Sequence, residues 1–247
     1  MRHHTPATGS DISEARPQGR ALFRGPFGWT LREPSRPRLW VEFLLLYVGA
    51  PVVLWWLQPR LTEGNAALFA LIGLTMVAGM ALLALTPGWR WRELLEVRGT
   101  RWGLVAALCA LFAVVIFPLA YWAVGERFLG LARAQPALLA MIWALYPWFS
   151  VLGQEVVYRP LFFRRYAPIL PPGLGAILLN AALFAAAHLF YRRWETVALT
   201  FAGGLVFAWY WQRTRSFPGV FVLHWVAGGL LFTSGLGWYF YTGAIGR

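Results

Sequence analysis

The sequence predicts an all-α, polytopic membrane bundle of about seven to eight transmembrane helices, and three observations carry that reading. Of 247 residues, 59% are hydrophobic and 13% charged, whereas a soluble domain is about half apolar and about a quarter charged. Seven runs hold the roughly 20 mainly apolar residues that a spanning helix needs: 39 to 57, 66 to 86, 102 to 124, 137 to about 160, 173 to 191, 196 to 212 and 217 to 234. Trp40, Trp55, Trp56, Trp102, Trp122, Trp194, Trp211 and Trp238 stand at or near run ends, as an interfacial belt requires. This composition excludes a soluble globular enzyme, a disordered chain and a secreted disulfide scaffold. The single Cys109 has no internal partner.

Residues 1 to 38 read as a cytosolic, Arg-rich disordered tail. Arg2, Arg16, Arg20, Arg24, Arg32, Arg36 and Arg38 face only Asp11, Glu14 and Glu33, and no apolar core of a signal peptide is present. A nucleic-acid-binding arm has no support there beyond charge, so no nucleic-acid partner is expected. Residues 39 to 247 read as one integral membrane domain without internal repeats. An eighth span arises if 137 to 166 break at Pro147, or if 235 to 243 re-enter the bilayer. With the N-terminus in the cytosol, fifteen arginines fall on the inner side and six on the outer, Arg159 lying within a span. The positive-inside bias therefore predicts N-in, in a bilayer expected to be the bacterial cytoplasmic membrane.

An ionisable side chain in hydrocarbon is costly and marks a functional site by default. The spans contain Glu42, Glu155, Arg159, His188 and His224. Glu42 is four residues into the first run and reads as an acid reaching the headgroups. Glu155 and Arg159 lie four apart, the acid first, which is the favourable order for a helical pair. The bland alternative is a structural ion pair, although such pairs are seldom retained for stability alone. Asn180, Phe184 and His188 recur every four residues and share one face. Small alanines between them admit a neighbouring helix. Taken alone, His188 reads as an interhelical hydrogen-bond donor, and His224 is equally bland. By run position, His188 is about fifteen residues deep and His224 about seven, a mismatch of roughly 12 Å at ~1.5 Å per residue.

Two chemistries fit one Glu and two His. They could ligate zinc and leave a position for water, though two His four apart around a Glu are absent. Alternatively, Glu acts as general base toward water beside one His, with the other His stabilising an oxyanion. No Gly-rich phosphate loop exists, and Ser150 carries no mark of an activated nucleophile. Hydrolysis by activated water without a cofactor fits better, zinc remaining the alternative. A transporter with a proton relay would show repeat symmetry or paired broken helices, and neither is visible.

Gln154-Glu155-x-x-x-Arg159, Phe184-x-x-x-His188 and His224-x-x-x-Gly228, in that order and in separate runs, resemble the three motifs of the CAAX protease and bacteriocin-processing (CPBP) family of intramembrane endopeptidases. The resemblance covers about residues 137 to 234. It implies a multi-helix membrane protease that uses a glutamate and a histidine to activate water, without metal, on a membrane-associated protein or peptide. By position, His188 assists the water, His224 helps hold the oxyanion and Arg159 orders the first motif. Tyr158, Phe184 and Asn180 are candidates for substrate or oxyanion support. Two positions depart from the pattern. Gln154 stands where the first glutamate is usual, so Glu155 is expected to be the base. Gly228 stands where an asparagine is usual, so Gln154, Asn180 or a backbone N–H must supply the missing donor. A catalytically inactive scaffold or immunity protein of the same family is the competing reading.

Overall fold

The computed structural model describes residues 22–24, 30–60 and 66–240. Most of the expected tail, and the end of the segment 235 to 243, lie outside the described residues. Within the tail, Leu22–Arg24 (β1) pairs antiparallel with Thr30–Arg32 (β2), Phe23 facing Leu31 in register. These are the only strands among the described residues, and the rest of the architecture is helical.

Among the described residues seven longer helices follow, one for each apolar run. The first, α1 (Arg36–Arg60), starts after Ser35 and takes Pro37 in its first turn, where the missing N–H costs no hydrogen bond. It is followed by α2 (Ala66–Ala84), α3 (Trp102–Val124) and α4 (Pro136–Arg165). The chain then forms α5 (Leu174–Ala186), α6 (Trp194–Thr214) and α7 (Phe217–Ser234). Among the described residues, five helices are long and apolar enough to cross a membrane by length and composition: Arg36–Arg60, Trp102–Arg127, Pro136–Arg165, Leu174–Tyr191 and Phe217–Ser234. The apolar helix Ala70–Ala84 is shorter. In α6, Glu195 at one end and Trp209 to Arg213 at the other dilute the apolar run. The lipid-facing side is visible in Trp122 and Phe149, each 85% exposed.

Pro147 does not split α4 into two helices. The chain passes through it in π geometry over Pro147–Val151, returns to α over Leu152–Val156, and is π again over Val157–Arg165. Proline removes a backbone donor and collides with the carbonyl four residues back, and the wider π turn at Pro147 and Pro160 relieves the collision.

The core sits around this irregular half of α4. Tyr47 of α1 meets Tyr158, Phe162 and Tyr166 edge to face at 5.4, 5.4 and 5.7 Å. Its hydroxyl donates to the Val157 carbonyl at 2.7 Å. Antiparallel α5 and α6 approach closely because Gly204 has no side chain: a Cβ there would stand 3.1 Å from the Ala181 Cα and 3.2 Å from Phe184. Glu42, expected to reach the headgroups, is paired with arginines. It accepts from Arg165 Nε at 2.7 Å, Arg165 Nη2 at 3.0 Å and Arg38 Nε at 2.8 Å, tying α1 to the end of α4. Trp211 likewise leaves the interfacial belt, because it is 7% exposed and belongs to the core.

Candidate active site

The first motif lies on the short α segment of α4, between its two π stretches. Such π insertions concentrate at functional sites because they re-aim side chains without ending the helix. Two carbonyls of the second π stretch accept hydrogen bonds from side chains of neighbouring helices. Tyr47 takes that of Val157, and Asn180 Nδ2 donates to that of Tyr158 at 2.8 Å.

Glu155 and Arg159 turn inward together, with side chains wholly buried. Arg159 Nε donates to Glu155 Oε2 at 2.8 Å, and Nη2 reaches Oε1 at 3.4 Å. Arg159 Nη1 donates to Asn180 Oδ1 across the interface with α5. Asn180, also wholly buried, is thus a strut. Its oxygen fixes the guanidinium and its nitrogen fixes the α4 backbone.

His224 of α7 completes the chain. Its Nδ1 stands 2.8 Å from Glu155 Oε1, and its Nε2 stands 3.1 Å from the Tyr146 hydroxyl. The four groups run in the order Arg159, Glu155, His224, Tyr146. A carboxylate held by arginine accepts, so Nδ1 of His224 carries a proton. Phe207 stacks on the same imidazole, centroids 5.0 Å apart and planes at 22°.

His188 lies just beyond the end of α5, in the turn before the 3-10 helix Leu189–Tyr191. Its Nδ1 is 2.7 Å from the Phe184 carbonyl, one of those a helix C-terminus leaves without an amide donor. A carbonyl can only accept, so Nδ1 bears the proton and Nε2 is a free lone pair. Among the described residues Nε2 has no hydrogen-bond partner. His188 is therefore bound to its own helix, not to a neighbour as its bland reading expected.

Phe184 joins the two histidines. Its ring centroid is 5.0 Å from that of His188 and 5.5 Å from that of His224. The expected mismatch in depth does not keep the two histidines apart, since both rings pack on Phe184. Tyr158 backs Phe184 at 5.1 Å and is 5% exposed, so it buttresses the ring instead of facing a ligand. Gln154 stands outside the ionic chain. Its Nε2 donates to Ser150 Oγ at 2.9 Å, and its Oε1 is buried without a partner.

Glu155 differs from its expected role in one respect. It is enclosed, and both oxygens are engaged by Arg159 and His224, so it has no face toward a water in this arrangement. Among the described residues no three His, Cys, Asp or Glu side chains gather into a group that could hold a metal ion.

Tyr146 and Phe207 escaped the sequence reading. Tyr146 is 78 residues from His224, and its one local signal is the following Pro147, which sets where the helix changes pitch. Phe207 sits in a helix rich in aromatic residues, and nothing in the pattern separates it from the others.

No curated protein and no solved structure matches the chain. Residues 136–230 match the family model described as type II CAAX prenyl endopeptidase Rce1-like. That segment contains the Glu155-Arg159 pair, Asn180, Phe184, His188 and His224, as well as Tyr146. The segment from 136 to 230 of this integral membrane protein is accordingly similar to the type II CAAX prenyl endopeptidase family, in agreement with the resemblance that its three motifs carry.

Proposed function

We propose that the protein is an intramembrane endopeptidase that hydrolyses a peptide bond of a membrane-associated protein or peptide through histidine-activated water. The observation that carries this reading is the matched state of the two imidazoles on Phe184. Each has Nδ1 engaged by an oxygen, so each is oriented with Nε2 directed at other chemistry.

The free Nε2 of His188 accepts the proton of a water whose oxygen bonds to the scissile carbonyl carbon. The carbonyl electron pair moves onto oxygen, and the His224 side of the site stabilises that oxyanion. On collapse the C=O bond re-forms and the C–N bond breaks. The proton on His188 passes to the departing nitrogen, giving a carboxylic acid and an amine. Glu155 acts through His224, fixing its tautomer and ring, and Arg159 and Asn180 fix Glu155. This assignment moves the base from Glu155 to His188.

The test compares C-termini of the membrane proteome in cells making the wild-type protein or its His188→Ala variant at equal abundance. New C-termini that require the intact histidine are expected. Identical sets of termini would overturn the reading.

A second reading, an inactive scaffold, draws on Gln154, an amide where the family pattern has an acid. Gln154→Glu separates the two. In an active enzyme the new carboxylate beside Glu155 lowers the rate by like-charge repulsion. If the wild type is inert and Gln154→Glu cleaves, the protein is a pseudoprotease.

A further inference from the structure

The helix start of α4 lies flat on α7 across two adjacent glycines. A Cβ at Gly229 would collide with the Trp143 indole, and one at Gly228 would stand 2.5 Å from the Tyr146 hydroxyl and 2.6 Å from its Cζ. Real Cβ atoms do not come that close, so with Tyr146 in place position 228 accepts only glycine. The contact is pinned on both sides. Trp143 Nε1 donates to Thr233 Oγ1 at 3.0 Å, and Trp225 Nε1 donates to the Trp143 carbonyl at 2.9 Å. Tyr146 packs edge to face on Phe232, centroids 5.9 Å apart, while its hydroxyl meets His224 Nε2 at 3.1 Å.

The space into which a side chain at 228 would project is thus filled by a phenol from another helix. We propose that Tyr146 is a catalytic residue of this protein, its hydroxyl supplying the oxyanion hydrogen bond that Gly228 cannot. The inference rests on the endopeptidase reading above. In the resting site, Nδ1 of His224 holds the proton facing Glu155, so the phenol donates to Nε2. As charge develops on the substrate oxygen, the phenol O–H turns from the Nε2 lone pair to that stronger, anionic acceptor, and His224 neither gains nor loses a proton. Tyr146 is half-buried, unlike the enclosed Glu155. Of the alternatives, the Asn180 amide is committed to Arg159 and the Tyr158 carbonyl, and the Gln154 amide nitrogen is committed to Ser150.

The experiment measures kcat and KM of the purified protein in lipid vesicles, on a peptide spanning a cleavage site found in the proteome comparison. Thermal unfolding of every variant is followed in parallel. Tyr146→Phe keeps the ring and removes the donor. It should unfold like wild type, keep KM, and lose about 10²- to 10³-fold in kcat, the scale for one oxyanion donor. Tyr146→Ala should be at least as impaired. Adding Gly228→Asn to Tyr146→Ala fills the vacated space with an amide and should recover at least about tenfold in kcat, well within the loss expected for one donor. Gly228→Asn alone should unfold at lower temperature. Full activity of Tyr146→Phe would overturn the proposal and leave the endopeptidase reading standing. So would a folded Tyr146→Ala/Gly228→Asn protein no faster than Tyr146→Ala. A wild type that cuts nothing overturns both.

Discussion

Arg159 has donors on both oxygens of Glu155 and on Asn180, all three side chains being wholly buried. Removing one member of such a pair leaves an uncompensated charge, a loss of about 3–5 kcal/mol. Arg159→Met should therefore lower stability by that order, as measured by unfolding in detergent with tryptophan fluorescence. Replacing both charges, Glu155→Leu with Arg159→Met, strands only neutral polar atoms, at about 1–3 kcal/mol each. The double variant should unfold at a higher temperature than Arg159→Met, yet be inactive because His224 has lost its anchor. A double variant less stable than the single would contradict this account of the pair. The same side chains bear on metal use, since Glu155 already serves Arg159 and His224. Activity should persist after exhaustive chelation, with less than about one zinc per chain by metal analysis. Loss on chelation that zinc reverses would argue for a metal centre.

The crossing of α5 over α6 sets where Phe184 lies, and Phe184 carries both imidazoles. Gly204→Val would push α5 outward at Ala181 and Phe184. The expected result is a folded protein with activity reduced at least about 10²-fold, because near-attack geometry tolerates little displacement. Wild-type turnover in that variant would show that the helix spacing is not critical. The same element explains what could be read in the sequence. All seven helices coincide with apolar runs, since length and hydropathy are local properties. The pairing of Glu155 with Arg159 and the shared face of Asn180 and Phe184 follow from a spacing of four. The π turns were not legible, because they answer to Pro147 and Pro160 under tertiary packing. Nor was the role of Glu42, whose partner Arg165 is 123 residues away. His188 was found as a residue but misplaced as a helix-face donor, since α5 ends at Ala186, two residues before it.

For the whole molecule, the arginine bias predicts that the N-terminus and the segments near 90 to 101, 164 to 172 and 213 to 216 share the cytosolic side. Two ion pairs within this set agree with a common side. Arg164 Nη1 meets Glu93 at 2.7 Å, and Arg165 meets Glu42 near the start of α1. Cys109 is the one native cysteine, so Cys109→Ala gives a background for single-cysteine labelling. Cysteines placed at Gly99, Ala167 and Arg213 should react only after permeabilisation, and one at Arg192 should react in intact cells. The inverse pattern would turn the molecule over in the bilayer.

The fit of Tyr146 over Gly228 also constrains ancestry. A lineage that carried asparagine at 228 could not acquire tyrosine at 146 while keeping that side chain, because the two occupy the same space. The passage between the arrangements runs through a chain with glycine at 228 and a smaller residue at 146, which has neither donor. Among relatives, tyrosine at the first position and any side chain at the second should therefore be mutually exclusive. Under the role proposed for Tyr146, glycine at 228 is then a change of supplier for one hydrogen bond, its donor carried by another helix without leaving the site.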